Sequence, residues 1–479
     1  MDFNMNNVNL SMLSDFYEFT MSGGYLRSGL DKCNTYFDVF FRSVPDKGGF
    51  AIAAGLEQVV GFIDQIHFDE GDIGYLRSKK LFDESFLDYL KTFRFTGDIY
   101  AVPEGTPIFP NEPVMIVRAP AIEAQLIETF LLLTINHQSL IATKANRIVR
   151  AAQGRAVLEF GSRRAQGADG AVIGARAAYI GGCDATSCTL ADERYGVPVG
   201  GTMAHSWVQM FESELEAFRV FCEIYPNNAT LLVDTYNTLK SGVPNAIKAL
   251  KGAGITDGAI RLDSGDISYL SKEARKLLDD AGLVDCKIVA SNSLDEYLIR
   301  ELIMQGSKID IFGVGERLIT AKSDPVFGGV YKLAAIEDSD GAIVPKIKVS
   351  ENVSKITNPH FKKLYRFFDR ENGKAIADEL CVFDEVVDDS VPHTIFDPDA
   401  TWKKTTLSNF VARELLVPIF RNGKLVYELP GIEDIRSYCA GQVGLLWDEV
   451  KRFENPHTYY VDLSQKLWDI KWQLLRDSI

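Results

Sequence analysis

Ala259-Ile260-Arg261-Leu262-Asp263-Ser264-Gly265-Asp266 decides how the chain is read: an apolar run, then small residues and charges, then a helical pattern. An apolar run that stops abruptly predicts a buried strand delivering its tip to a pocket, and small residues let a ligand approach the backbone. The same grammar recurs at Val157-Leu158-Glu159-Phe160-Gly161-Ser162-Arg163-Arg164 and ends at Gly200-Gly201-Thr202-Met203-Ala204-His205-Ser206-Trp207. Further candidate strands are Cys183–Ser187, Pro198–Thr202, Thr230–Asp234, Lys287–Ser291, Ile309–Gly313 and Val330–Ala334, which brings the candidates to eight. Helical stretches such as Glu212–Tyr225 and Ser271–Ala281 alternate with them. Alternation of this kind predicts parallel strands joined by crossovers, and eight of them favour an irregular (β/α) barrel over an open sheet. The functional face is then the rim of C-terminal strand ends.

Outside this stretch the rhythm differs. Ser14 or Asp15 is expected to cap a helix burying Phe16, Phe19 and Met21, with Tyr17 off that stripe. A strand runs from Thr35 into a turn at Lys47–Phe50, helices cover 52–94, and two β segments fill 97–119. Residues 121–153 are apolar at helical spacing. After Ile336, residues 337–430 show short alternating segments, and 431–479 read as helical with Trp447, Trp468 and Trp472 buried. The expected organisation is an N-terminal α+β region at 1–125, an α/β barrel at 126–345, and a C-terminal segment at 346–479. That last segment is expected to pack with the first into a second α+β domain.

A chain of 479 residues with 46% hydrophobic and 24% charged residues has ample material for a core and no disorder signature. Its formal charge of −15 argues against a nucleic-acid binder or a polybasic membrane binder. Anionic substrates remain possible, because they need only a local cluster of arginines and backbone N–H groups. The seven cysteines form no CxxC pair and no zinc spacing, which fits reduced thiols. The first residues lack the basic start and apolar block of a signal peptide, and no apolar run approaches a membrane span. The expectation is a soluble, cytoplasmic protein.

The strand tips carry Arg163, Arg164, Thr202, His205, Asp234, Arg261, Asp263, Ser264, Gly265, Asp266, Ser291, Asn292, Gly313 and Gly315. Gly313-Val314-Gly315 suits a phosphate held by backbone N–H groups before a helix. Asp234, Asp263 and Asp266 can gather magnesium through water and substrate oxygens; alternatively, Asp263 and Asp266 cap the next helix. Arg163 and Arg261 can each grip a carboxylate or pair with a structural Asp. His205 reads as a general base, a metal ligand, a phosphate acceptor or a satisfied core residue.

As a set, six motifs resemble nicotinate phosphoribosyltransferases of the bacterial type, over about Leu10 to Val330. They are Asp15-Phe16-Tyr17, Glu159–Gly167, Gly201–Trp207, Leu232–Tyr236, Ile260–Asp266 and Gly313–Gly315. The resemblance implies a type II phosphoribosyltransferase, homodimeric with shared active sites. It would convert nicotinate and 5-phosphoribosyl 1-pyrophosphate into nicotinate mononucleotide and pyrophosphate for NAD salvage. ATP hydrolysis, with magnesium, would be coupled through a phosphohistidine at His205. On the same pattern Tyr17, Thr202 and Arg261 contact nicotinate with Arg163 nearby, and Gly313–Gly315 holds the sugar phosphate. The competing readings are a nicotinamide or quinolinate phosphoribosyltransferase, and a non-catalytic barrel used as a binding or scaffold protein. The run Met203-Ala204-His205-Ser206-Trp207 favours the nicotinate form over the nicotinamide one.

Overall fold

The computed structural model describes residues 9–352 and 355–478. The described residues fold as two compact units, one drawn from 9–139 and 326–478 and the other of residues 140–325. The chain is mixed α/β, with its parallel strands gathered in the second unit.

In the first unit both chain ends enter one sheet. Its strands run in the order Ile343–Pro345, Val330–Glu337, Asn34–Phe40, Met115–Pro120, Asp98–Ala101, Val417–Arg421 and Lys424–Leu425. Every pairing is antiparallel. A four-stranded sheet, Phe410–Glu414, Lys362–Asp369, Ala375–Val382 and Val461–Leu463, completes the C-terminal part. Buried charge links the early and late chain: Lys362 Nζ lies 2.8 Å from Asp38 Oδ2, and Arg366 Nη2 donates to the Pro107 carbonyl at 2.9 Å.

Several sequence expectations change here. Val330–Glu337 is not a barrel strand; it pairs with Asn34–Phe40, and Tyr331 stacks on Phe37 with ring centroids 4.5 Å apart. An apolar run announces a strand without naming its partner, so this one reads alike in either sheet. The inner boundaries fall at 139/140 and 325/326, against the expected 125/126 and 345/346.

The Phe16–Arg27 helix buries Glu18, Phe19 and Ser22, leaving Phe16 and Met21 exposed. Glu18 Oε1 accepts from both the amide and the hydroxyl of Thr129, which turns the Glu18 side inward. Asp15 makes no side-chain cap; its amide donates to Thr129 Oγ1 instead. In the tail, Trp472 is exposed and Trp447 and Trp468 are half-buried. There the Gln465–Asp477 helix buries only Leu467 fully.

The second unit is built on a parallel sheet in the order Ala185–Thr186, Ala156–Glu159, Ile311–Val314, Lys287–Ser291, Ala259–Leu262, Thr230–Leu232. The register sets Arg261 level with Leu232 and Val289, and Glu159 level with Val314 and Thr186. The segment expected as a strand at Pro198–Thr202 contributes a single parallel bridge, Val199 to Thr186. Gly200 and Gly201 offer no side chain to pack on a sheet, so pairing stops there. Among the described residues no backbone ladder joins Thr230–Leu232 to Val199; Asn228 Nδ2 donates to the Gly201 carbonyl at 3.4 Å.

Because parallel strands are covered on both faces, most of their side chains are apolar. Leu231, Val233, Ile260, Leu262 and Ile288 pack with Phe218 and Leu250 and with Leu278 of the Ile267–Asp280 helix. Truncating one such leucine costs roughly 2–5 kcal/mol. Asp266 caps the Ile267–Asp280 helix, accepting from the Tyr269 amide at 3.0 Å, and Asp295 caps Glu296–Met304 in the same way. Among the described residues no helix is long and apolar enough to cross a membrane.

Candidate active site

A cleft of about 400 Å³ opens at the C-terminal strand ends of the second unit. Its lining includes Phe160, Ser162, Arg163, Thr202, His205, Arg261 and Asp263. These come from chain segments far apart in sequence, brought level by the parallel register described above.

Arg261 is the fixed point. Its Nε donates to Ser291 Oγ at 2.9 Å, Nη1 to Thr202 Oγ1 at 3.0 Å and Nη2 to Asp263 Oδ1 at 3.1 Å. The guanidinium carbon lies 5.4 Å from the centroid of the Phe160 ring. Ser291 also donates to Asp263 Oδ1, so the two residues and the arginine hold one another. Such a planar, pre-aimed cation grips anions well.

Behind Asp263 lies Asp234. Its Oδ2 accepts from the Asp263 amide at 3.0 Å and from Ser264 Oγ at 2.6 Å, whereas its buried Oδ1 has no hydrogen-bond partner among the described residues. His205 is the first residue of the His205–Gln209 helix and keeps 41% of its side chain exposed. Nδ1 lies 3.1 Å from Thr235 Oγ1, and Nε2 is 3.9 Å from Asp263 Oδ2. The helix is anchored by Trp207, whose Nε1 donates to the Ala217 carbonyl at 3.2 Å.

Of the residues expected at the site, Arg163, Thr202, His205, Arg261 and Asp263 line the cleft. Asp234 and Ser264 join it through Asp263. Asp266 does not: it serves as the helix cap, so the two roles weighed for the acidic pair separate, with Asp263 on the rim. Gly265 takes a φ of +78° that suits glycine, and Asn292 follows Ser291 at φ +88°, exposed. Gly313 pairs with Ser291 and is small for a packing reason, since a Cβ there would meet the Phe160 ring at 2.6 Å. Gly315 precedes the four-residue helix Glu316–Ile319. Tyr17 belongs to the other unit, 45% exposed. Among the described residues no group of three or more His, Cys, Asp or Glu is arranged to hold a metal ion.

Sequence reasoning left Thr235, Ser187 and the special position of Phe160 unassigned. Phe160 had a readable signal, an aromatic at a strand tip directly before glycine. Thr235 and Ser187 had none, because their roles come from neighbours distant in sequence.

The geometry defines a class first: an α/β enzyme whose site, at the carboxyl ends of parallel strands, is arranged around an anion-gripping arginine, an open imidazole and paired carboxylates. Comparison with known proteins narrows it. Residues 12–136 match the model of the nicotinate phosphoribosyltransferase (NAPRTase) N-terminal domain, and residues 361–471 that of the C-terminal domain. A nicotinate phosphoribosyltransferase of Bacillus subtilis is 44% identical over all of this chain and 97% of its own. One from Mycobacterium tuberculosis (H37Rv) is 40% identical over 95% of this chain and 92% of its own. The crystal structure of human nicotinic acid phosphoribosyltransferase superposes with a TM-score of 0.84 at 29% identity, covering 97% of this chain and all of that one. The chain belongs to the nicotinate phosphoribosyltransferase family.

Proposed function

We propose that the chain transfers the 5-phosphoribosyl group of 5-phosphoribosyl 1-pyrophosphate to nicotinate, giving nicotinate mononucleotide and pyrophosphate in NAD salvage. The observation that carries this is the state of Arg261. Its Nε–H and one N–H of each terminal nitrogen are engaged, so among the described residues one N–H on each terminal nitrogen has no acceptor. Two such donors are what the two oxygens of a carboxylate accept, and they lie beside the Phe160 ring. A pyridine ring carrying one carboxylate fits this seat.

The ring nitrogen already has a lone pair, so no general base is needed. As the nitrogen–carbon bond forms at the anomeric centre, the bond to pyrophosphate breaks and its electron pair leaves with the oxygen. The residues act mainly by orientation. Arg261 and Phe160 fix the ring, with Thr202 and Ser291 bracing the guanidinium. Magnesium would be held by Asp234, whose buried Oδ1 lacks a partner, and Asp263, through water and substrate oxygens. It would neutralise charge on the leaving pyrophosphate. The backbone at Gly313–Gly315 is assigned to the sugar phosphate.

His205 is assigned to ATP coupling. When Nδ1–H donates to Thr235, Nε2 keeps its lone pair, on a side chain that is 41% exposed. Attack of Nε2 on the γ-phosphorus of ATP forms the N–P bond as the bond to ADP breaks, and water later releases phosphate. The added charge and acceptor oxygens would reorganise the rim. The same reading takes the parallel sheet as an irregular barrel completed through the Val199 and Asn228 segments, and the enzyme as a cytoplasmic homodimer that shares its active sites.

The test is a base-consumption assay with magnesium and the phosphoribosyl donor, with and without ATP. Nicotinate should be consumed and nicotinamide and quinolinate spared, with acid-labile label from γ-labelled ATP retained by the parent and absent in His205→Ala. Preferential consumption of either other base overturns the substrate assignment. Full ATP coupling in His205→Ala overturns the phosphohistidine.

A further inference from the structure

Glu159 closes the strand Ala156–Glu159, is fully buried and does not line the cleft. A carboxylate in that position must be satisfied by donors around it. Oε1 accepts from the Gly161 amide, and Oε2 from the Thr186 hydroxyl at 2.6 Å. Thr186 passes the link on. Its Oγ1 accepts from the Cys188 amide at 3.0 Å, its amide donates to the Pro198 carbonyl at 2.9 Å, and its carbonyl accepts from the Gly200 amide at 2.8 Å. The Ser187 amide returns to the Glu159 carbonyl at 2.8 Å.

Three loops that line the cleft therefore join at the Glu159–Thr186 link, the first through the Glu159 side chain and the other two through Thr186 and the main chain beside it. The first supplies Phe160 and Arg163, the second Ser187, and the third Gly200 and Thr202. Two of these, Phe160 and Thr202, are the residues that flank and brace Arg261. Gly161 is cut to fit the arrangement: a Cβ there would stand 2.6 Å from Glu159 Oε1 and 2.5 Å from Ile319 Cβ. Burial pushes the Glu159 carboxyl up on balance, against the opposing pull of the Thr186 and Gly161 donors.

We propose that Glu159, acting through Thr186, is a positioning residue for phosphoribosyl transfer. It sets the three loops so that Phe160 and Arg261 form a single seat for the ring and its carboxylate. This rests on the function proposed above. A carboxylate that only satisfied the core would move stability and leave the balance of kinetic constants alone.

The experiment compares the full-length parent with Glu159→Gln, Thr186→Val and Thr186→Ser, measuring mononucleotide formation against each substrate and the urea midpoint of each protein. Glu159→Gln keeps the shape but replaces one acceptor by a donor facing Thr186. The shift of the seat should lower kcat/KM for nicotinate about 100-fold, through the nicotinate KM. The KM for the phosphoribosyl donor should stay within about twofold, since that ligand is assigned to other backbone. Thr186→Val should lose roughly tenfold by removing one hydrogen bond, and Thr186→Ser should restore the parent.

The proposal is overturned if a folded Glu159→Gln has parental kinetics, if both KM values rise together, or if Thr186→Ser is as poor as Thr186→Val. Should Glu159→Gln not fold, the Thr186 pair decides alone. A parent that makes no mononucleotide sinks the proposed function instead, so the two failures are separable.

Discussion

Arg366–Asp378 in the first unit and Arg261–Asp263 in the second are the same chemical pair in different surroundings. Arg366 reaches both carboxylate oxygens, Nε to Oδ1 at 2.8 Å and Nη2 to Oδ2 at 2.6 Å, with both side chains no more than 1% exposed. Tyr459 donates to the same carboxylate at 2.8 Å, and the guanidinium lies over the rings of Phe109 and Tyr459. Burial and the adjacent Asp378 push Glu112 well above the usual carboxylate range, which keeps a second negative charge out of the cluster. Arg261 meets its aspartate through one nitrogen, at 14% and 31% exposure, and Asp263 Oδ2 faces the histidine at 3.9 Å. The first pair consumes its bonding capacity in holding the fold. The second keeps some in reserve at a rim that a ligand can reach.

The sharpest way to break this contrast is Arg366→Met. It strands a buried carboxylate, so urea unfolding should show a loss of about 3–5 kcal/mol. An unfolding midpoint like the parent's would mean that the cluster is not structural. A smaller effect separates Asp266 from Asp263. Asp266→Ala removes a helix cap and should lose about 1 kcal/mol with nicotinate kinetics intact; a raised KM for either substrate would return Asp266 to the rim.

The smallest effect is a pH slope in the first unit. Burial, with Glu379 and Asp397 nearby, pushes the Asp462 carboxyl up to about 7, and Glu379 raises His393 against the opposing effect of its burial. Both groups hold protons in the folded state that the unfolded chain releases. The contribution of Asp462 is therefore complete below the ordinary carboxylate value of about 4 and is lost as pH rises through about 7, and His393 adds a loss of the same sign above the ordinary imidazole value. The urea midpoint should fall between pH 5 and pH 8 and fall less in Asp462→Asn. A variant with the parental slope would remove Asp462 from the account.

Much of the second unit was legible because its strands are short apolar runs that end in small and charged residues, the pattern a covered parallel sheet demands. Arg261 and Asp263 could be placed at a strand tip for that reason; Thr202 and His205 lie beyond the Val199 bridge instead, yet all four meet in one cleft. What failed was partner choice. Val330–Glu337 reads like its neighbours, yet pairs with a strand almost 300 residues earlier. The face of the first helix was misread because a glutamate, Glu18, is buried by bonds to Thr129 that no periodicity reveals. Glu159 was quoted as part of a motif but its role stayed hidden, since Thr186 and Gly161 become its partners only once the sheet is assembled.

The central claim is that the reserve donors of Arg261 recognise the carboxylate of nicotinate. The direct measurement is the nicotinate KM of Arg261→Ala beside its unfolding midpoint. The KM should rise about 100-fold, the loss expected when a charged partner is left unpaired in a sheltered site, with a stability change smaller than that of Arg366→Met. A parental KM in a folded Arg261→Ala enzyme would contradict it.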